Sequence, residues 1–214
     1  MMKNAIVFVD ANNWYHNVKH WFKPGDIDIV KVSEFICDKF GYKLKEIRWY
    51  ASVPSIKDGK AMFYRHLSFL SYLEKKGVKV ITRKLQTLSN KEILKKKRDI
   101  LDNLDLCETC RPIVESTFLD LADIKRKEKG IDVWIAVDMI RLGIIENEYD
   151  VCILISGDAD FTPALDLINK EKDVLSVFVP QGYAYELRDK FRHFILKKSI
   201  LRRCFDAFRK RKFD

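Results

Sequence analysis

Residues 150–163 read DVCILISGDADFTP. From Asp150 to Ser156 the side chains are too continuously apolar for a half-exposed strand, so this run predicts a strand buried on both faces. Gly157 ends it. Asp158 and Asp160 follow, two residues apart, and Thr162-Pro163 has the form of a helix N-cap with proline at the first helical position. A buried strand feeding a helix is the repeating unit of a parallel α/β sheet.

Similar runs lie on either side. AIVFVD at 5–10, VKVIT at 78–82 and VLSVFV at 174–179 share the Val/Ile-rich pattern, and EIRWYASV at 46–53 is a fifth candidate. Between them, apolar residues recur at helical spacing, as in Val32, Phe35, Ile36 and Phe40, or Ile135, Met139, Ile140 and Leu142. Strands alternating with helices predict an α/β fold with a central parallel sheet flanked by helices. The alternation breaks between Arg83 and Lys129, where NKEILKKKRDILDNLDL, CETCRP and IVESTFLDLADIKRKEK are charge-rich and lack strand pattern. The expected organisation is one domain over 1–196, interrupted by a helical insert at about 84–128, with one or two helices from Ala184 onward. The last of these is a basic C-terminal helix over 197–214.

The chain has 214 residues, 47% of them hydrophobic, enough for one substantial core. No apolar run approaches the roughly 18 residues of a membrane helix, and the N-terminus lacks the pattern of a secretory signal. The expectation is a soluble cytoplasmic protein without membrane contact. Forty Lys and Arg against 31 Asp and Glu give a formal charge of +9, a field that attracts polyanions. The segment KKSILRRCFDAFRKRKFD at 197–214 concentrates that charge. Lys197, Lys198, Arg202, Arg203, Arg209 and Lys210 are its candidate phosphate contacts, of a kind that is sequence-independent and salt-sensitive. Read plainly, the same segment is an amphipathic helix packed through Leu196, Ile200, Leu201 and Phe205.

In an open α/β sheet, ligands bind outside the carboxyl ends of the strands, where the strand order reverses. The first strand ends in Asp10; the 150–156 strand leads to Asp158 and Asp160. If those strands are neighbours, three carboxylates converge. Asp132, just after Gly130, falls in the first turn of a helix, whereas Asp138 lies about 240° further round and should not share its face. Gathered carboxylates repel unless a cation compensates them, and an all-oxygen set selects a hard ion, Mg²⁺ or Mn²⁺. Such a metal supports hydrolysis of a phosphodiester. The plain alternative for each acid is a turn residue or an N-cap. It accounts for Thr162-Pro163 and leaves Asp158 and Asp160 without a structural duty. Trp14, Tyr15 and Trp21, just beyond Asp10, are either core or stacking surfaces for unpaired bases.

FVDANNWY, KGIDVWIAVDMIRL, YDVCILISGDADFTPAL and AYELRDKFRHFI together resemble the NYN domain family, in its LabA-like branch among the PIN-like nucleases. The likeness covers residues 4–82 and 129–196. It implies a PIN-like, Rossmannoid fold and a Mg²⁺- or Mn²⁺-dependent ribonuclease acting on single-stranded or structured RNA. Asp10, Asp132, Asp158 and Asp160 would be the catalytic and metal-binding acids, with Asn13, Ser156 and Asp138 in support. Ala11 stands where the family favours Gly, which asks only that the backbone there avoid positive φ. The alternatives are a non-catalytic RNA-binding or regulatory module that keeps the pocket, and a nuclease acting on DNA.

Cys107 and Cys110 form the CxxC of the insert. A closed structural Zn²⁺ site needs four ligands, and no second CxxC or His pair follows, so zinc would require two copies across a homodimer. A redox motif and a plain loop are the other readings. His16 and His20 share a helix face but lack the Glu that a zincin needs.

Overall fold

The computed structural model describes residues 2–56, 59–84, 90–120 and 130–206. The chain divides into two compact units, Met1–Arg83 with Gly130–Asp214, and Lys84–Lys129. The first unit contains β1 (Asn4–Asp10), α1 (Ala11–Val18), α2 (Ile29–Phe40), β2 (Lys43–Val53), α3 (Lys60–Lys75) and β3 (Lys79–Lys84, whose last residue begins the second unit). The second unit contributes α4 (Asn90–Asp102) and α5 (Cys110–Asp120). The first then resumes with α6 (Ile131–Ile140), β4 (Val151–Ile155), α7 (Thr162–Ile168), β5 (Asp173–Phe178), α8 (Tyr185–Lys190), β6 (His193–Ile195) and α9 (Lys198–Arg203).

The strands form one sheet in the order β3-β2-β1-β4-β5-β6. β1 pairs in parallel with both β2 and β4, and β4, β5 and β6 continue in parallel. The α/β class and the parallel central sheet expected from the sequence are therefore observed. The chain winds outward from β1 in one direction, then returns to the other side of β1 and winds away again. The order reverses between β1 and β4.

Side-chain alternation sorts the core into two layers. Ala5, Val7 and Val9 of β1 join Ile47, Trp49, Ile153, Ile155 and Leu175 beneath α2 and α3, through Val32, Ile36, Leu70 and Leu73. Ile6 and Phe8 join Tyr50, Cys152, Leu154 and Phe178 on the opposite face, covered by Ile135 and Met139 of α6 and Leu165 and Ile168 of α7. β4 is buried along its whole length, which explains its unbroken apolar run.

Two segments depart from the sequence expectation. β6 occupies His193–Ile195, where only helix was expected; it is a three-residue edge strand, too short to carry a period. The basic helix is also shorter than 197–214, since α9 ends at Arg203 and Phe205 forms a β-bridge with Ile27. Asp206 ends in a buried polar clasp, accepting hydrogen bonds from Tyr72 and from Lys76, the latter at 2.9 Å. Lys76 also reaches Asp28, the N-cap of α2, at 2.6 Å. Burial opposes the Lys76 charge, but hydrogen bonds with Asp28, Tyr72 and Asp206 outweigh it and raise its pKa above the ordinary lysine value. The clasp draws the backbone out of the helix at 205–206. Arg209 and Lys210 lie outside the described residues.

Candidate active site at the switch point

β1 and β4 are adjacent, so the end of β1 and the end of β4 share the carboxyl edge at the point of reversal. Asp10 terminates β1 and is 3% exposed. Its Oδ1 accepts the amides of Asn12 and Asn13, both at 3.1 Å, and so caps α1. Its Oδ2 accepts the Ser156 hydroxyl at 3.0 Å, across 146 residues of sequence. Ser156 Oγ in turn accepts the amide of Asp158 at 3.2 Å. One buried serine thus couples the ends of the two strands.

Asp158 has a structural duty that the sequence did not reveal. Its Oδ1 accepts the amide of Asp160 at 3.0 Å and caps a 3-10 turn over Ala159–Phe161, which runs directly into α7. Thr162 is therefore already helical and is not the side-chain cap that was expected; Pro163 sits in the first turn, and the Thr162 hydroxyl is buried without a hydrogen-bond partner among the described residues. The inserted turn moved the cap upstream, from Thr162 to Asp158. Asp160 is exposed and Asp158 half-buried.

Asn13 and Asn17 fix the loops above the strands. Asn13 Oδ1 accepts the amide of Gly157 at 3.0 Å and the side-chain amide of Asn17 at 2.8 Å. Asn17 is buried and donates to the Gly182 carbonyl at 3.4 Å. The Ala184 amide closes onto the Gly157 carbonyl at 2.9 Å. This packing has no room for a side chain, because a Cβ on Gly157 would stand 1.8 Å from the Gly182 oxygen and one on Gly182 1.9 Å from Asn17 Oδ1. Asn17 and the 180–184 loop are the parts of the site that sequence reasoning missed. The run PQG was a visible turn signal, but nothing local marked Asn17. Ala11 begins α1 with no positive φ, so its departure from Gly carries no backbone strain.

Asp132 lies in the first turn of α6, half-buried. Arg83, near the carboxyl end of β3, donates to the carbonyl of Gly130 at 3.2 Å, which puts the start of α6 at the same edge of the sheet. α6 contacts β1, β2 and the turn that Asp158 caps. Asp138, six residues on, is buried and committed elsewhere. It accepts Arg48 at 3.0 Å, the Tyr50 hydroxyl at 2.8 Å and Arg141 at 3.0 Å. Burial, together with the hydrogen bond to Asp138, raises the Tyr50 pKa well above its ordinary value. Asp132 and Asp138 thus occupy different surroundings, as the helical phase required.

The donors around the switch point are oxygens, the chemistry of a hard divalent cation. Among the described residues, no three His, Cys, Asp or Glu side chains lie close enough together to hold a metal ion between them. Cys107 and Cys110 likewise have no third ligand among the described residues. Of the aromatics beyond Asp10, Trp14 is core, whereas Tyr15 is 55% exposed with Lys19 Nζ 5.9 Å from its ring centre. Lys197, Lys198, Arg202 and Arg203 are all exposed, and Leu196 and Leu201 hold α9 to the domain.

A family model, that of the NYN domain, matches residues 4–200. The chain belongs to the NYN domain family. NYN proteins are generally PIN-like nucleases, so membership supports a nuclease function with nucleic acid as substrate and a typical dependence on divalent metal. No curated protein matches the sequence. The fold is similar to the crystal structure of a protein of unknown function, VPA0982, from Vibrio parahaemolyticus RIMD 2210633. That likeness has a TM-score of 0.54 at 18% identity and covers 92% of this chain and 94% of that one. A short-chain dehydrogenase from Oenococcus oeni PSU-1 is aligned over 90% of this chain and 85% of its own at 12% identity. Its TM-score of 0.26 carries no argument. Among the described residues, no helix of this NYN protein is long and apolar enough to cross a membrane.

Proposed function

We propose that this NYN protein is a Mg²⁺- or Mn²⁺-dependent ribonuclease whose site is the switch point between β1 and β4. The observation that carries the reading is the coupling of Asp10 to Ser156 and, through it, to the backbone of Asp158. Acids from distant parts of the sequence stand at the one edge of the sheet where an α/β fold offers an open crevice.

Asp132 and Asp160 would position a second ion or the attacking water, and Asp10 and Asp158 would hold the principal cation. When bound, it neutralises charge on the attacked phosphodiester and lowers the pKa of a water. Asp10 is oriented by the Ser156 hydroxyl and the amides of Asn12 and Asn13. Asp158 keeps Oδ2 for a ligand while Oδ1 caps the turn, and exposed Asp160 meets solvent, where it can position the attacking water. Asn13, Asn17 and Ser156 hold the two strand ends in register, and Asp138 supports α6 from within. The exposed bases of α9, together with Arg209 and Lys210, would contact phosphates without reading sequence.

The test incubates purified protein with labelled single-stranded RNA, structured RNA and matching DNA in Mg²⁺, Mn²⁺ or EDTA, beside Asp10→Asn and Asp158→Asn. Metal-dependent cleavage of RNA, lost in both variants, is expected. RNA bound but uncut under every condition would instead identify a binding module, and preferential cleavage of DNA would move the substrate class.

A further inference from the structure

The five cysteines fall into two groups. Cys37, Cys152 and Cys204 are buried. Burial pushes the Cys37 thiol up to about 11 and the Cys152 thiol up to about 12, and it raises Cys204 as well, which leaves all three as poor nucleophiles. Cys107 and Cys110 are both exposed.

Their backbone setting is specific. Cys107 immediately precedes the turn that opens α5, and its carbonyl accepts the amides of Cys110 at 3.1 Å and Arg111 at 3.0 Å. It therefore opens the turn that leads into α5, whose amides point back towards it. Cys110 is the first residue of α5. A hydrogen bond from the Cys110 side chain, then those from the amides of Cys110 and Thr109, lower the Cys107 pKa below the ordinary thiol value. The two cysteines are thus the first and last residues of one hydrogen-bonded turn.

We propose that Cys107 and Cys110 form a redox-active dithiol that closes reversibly to an intramolecular disulfide, with Cys107 as the attacking thiol and a glutathione-type disulfide as the oxidant. The Cys107 thiolate attacks one sulfur of the oxidant; that S–S bond breaks, a mixed disulfide forms on Cys107, and one glutathione leaves as its thiolate. Cys110 gives its proton to solvent and attacks the Cys107 sulfur, releasing the second glutathione. Two protein thiols are oxidised by two electrons, and one glutathione disulfide is reduced to two thiols. The ring closed by C-x-x-C is short, so the bond adds little chain constraint and stays within reach of cellular reductants. The redox chemistry of the pair does not depend on the nuclease reading.

The experiment equilibrates the full reduced chain with a series of reduced and oxidised glutathione mixtures. It counts free thiols, and measures the mass of the proteolytic peptide that carries both cysteines. Two of the five thiols should disappear in one transition, with the peptide lighter by two hydrogens and the chain still monomeric on a non-reducing gel. Cys110→Ser should trap one glutathione on Cys107, whereas Cys107→Ser should take it up about ten-fold more slowly. Both side chains are exposed, so circular dichroism should show both variants folded. Free thiols persisting in fully oxidised buffer, a disulfide joining two chains, or Zn²⁺ bound by the pair at one ion per two chains would each overturn the proposal.

Discussion

Two buried aspartates on the same sheet face, Asp10 and Asp138, are held in opposite ways. Asp10 is gripped by a serine hydroxyl and two backbone amides, while Asp138 sits between the guanidinium groups of Arg48 and Arg141 with the Tyr50 hydroxyl beside it. The strands bring them near one another, since Asp10 and Tyr50 are partners in the β1–β2 register. Cationic partners offset a carboxylate's charge, whereas hydroxyl and amide donors chiefly orient it. Under the proposed function, the contrast separates an acid that builds the protein from one that would bind the cation. Both match acids of the NYN pattern, so pattern alone does not make that distinction.

The sharpest way to break the comparison is to neutralise each acid in turn. Asp10→Asn keeps an N-cap and should lower RNA cleavage by about 10²–10³-fold, measured as kcat/KM, while shifting Tm little. Asp138→Ala should do the reverse. Leaving buried Arg48 with Glu46 as its remaining carboxylate should cost about 3 kcal/mol in urea unfolding, with cleavage per folded molecule retained. Cleavage lost equally in both variants at equal stability would erase the distinction.

A third charge group extends the comparison to the C-terminal clasp. Lys76→Met leaves Asp28 and Asp206 facing one another and should cost about 2 kcal/mol, less than Asp138→Ala because Lys76 keeps some solvent. The folded pKa of Lys76 is raised, so its contribution is fully present below the unfolded value of 10.5 and is lost as pH climbs through the folded value. Denaturation across pH should therefore show a constant gap between wild type and Lys76→Met from neutrality to about pH 10, closing above it. A gap that narrows between neutrality and about pH 9 would assign the stabilisation to another group.

The smallest effect is expected of the exposed bases. Replacing Lys197, Lys198, Arg202 and Arg203 with Ala should leave stability within about 0.5 kcal/mol, while RNA affinity weakens and its salt dependence flattens by about one unit of slope for each phosphate no longer engaged. Unchanged affinity would reduce α9 to packing.

Much of the fold is legible in the sequence. The continuous apolar run before Ser156 is a strand because β4 is buried on both faces. The features that are not legible are short or non-local. β6 has too few residues for a period, and the helix start at 162 shifted because a 3-10 turn was spliced ahead of it. Asn17 looks like any polar helix residue until Gly157 and Gly182 close on it.

The sequence by itself determined which segments are strands and helices and which residue types end them, because hydrophobic period and turn chemistry act over a few residues. It also supplied the acids and the CxxC. Only the tertiary structure decided that β1 lies beside β4, so that Asp10 meets Ser156 from 146 residues away, and that Asp138 is spoken for by two arginines. Strand order and ion pairing depend on which distant surfaces bury one another, and no local pattern encodes that choice.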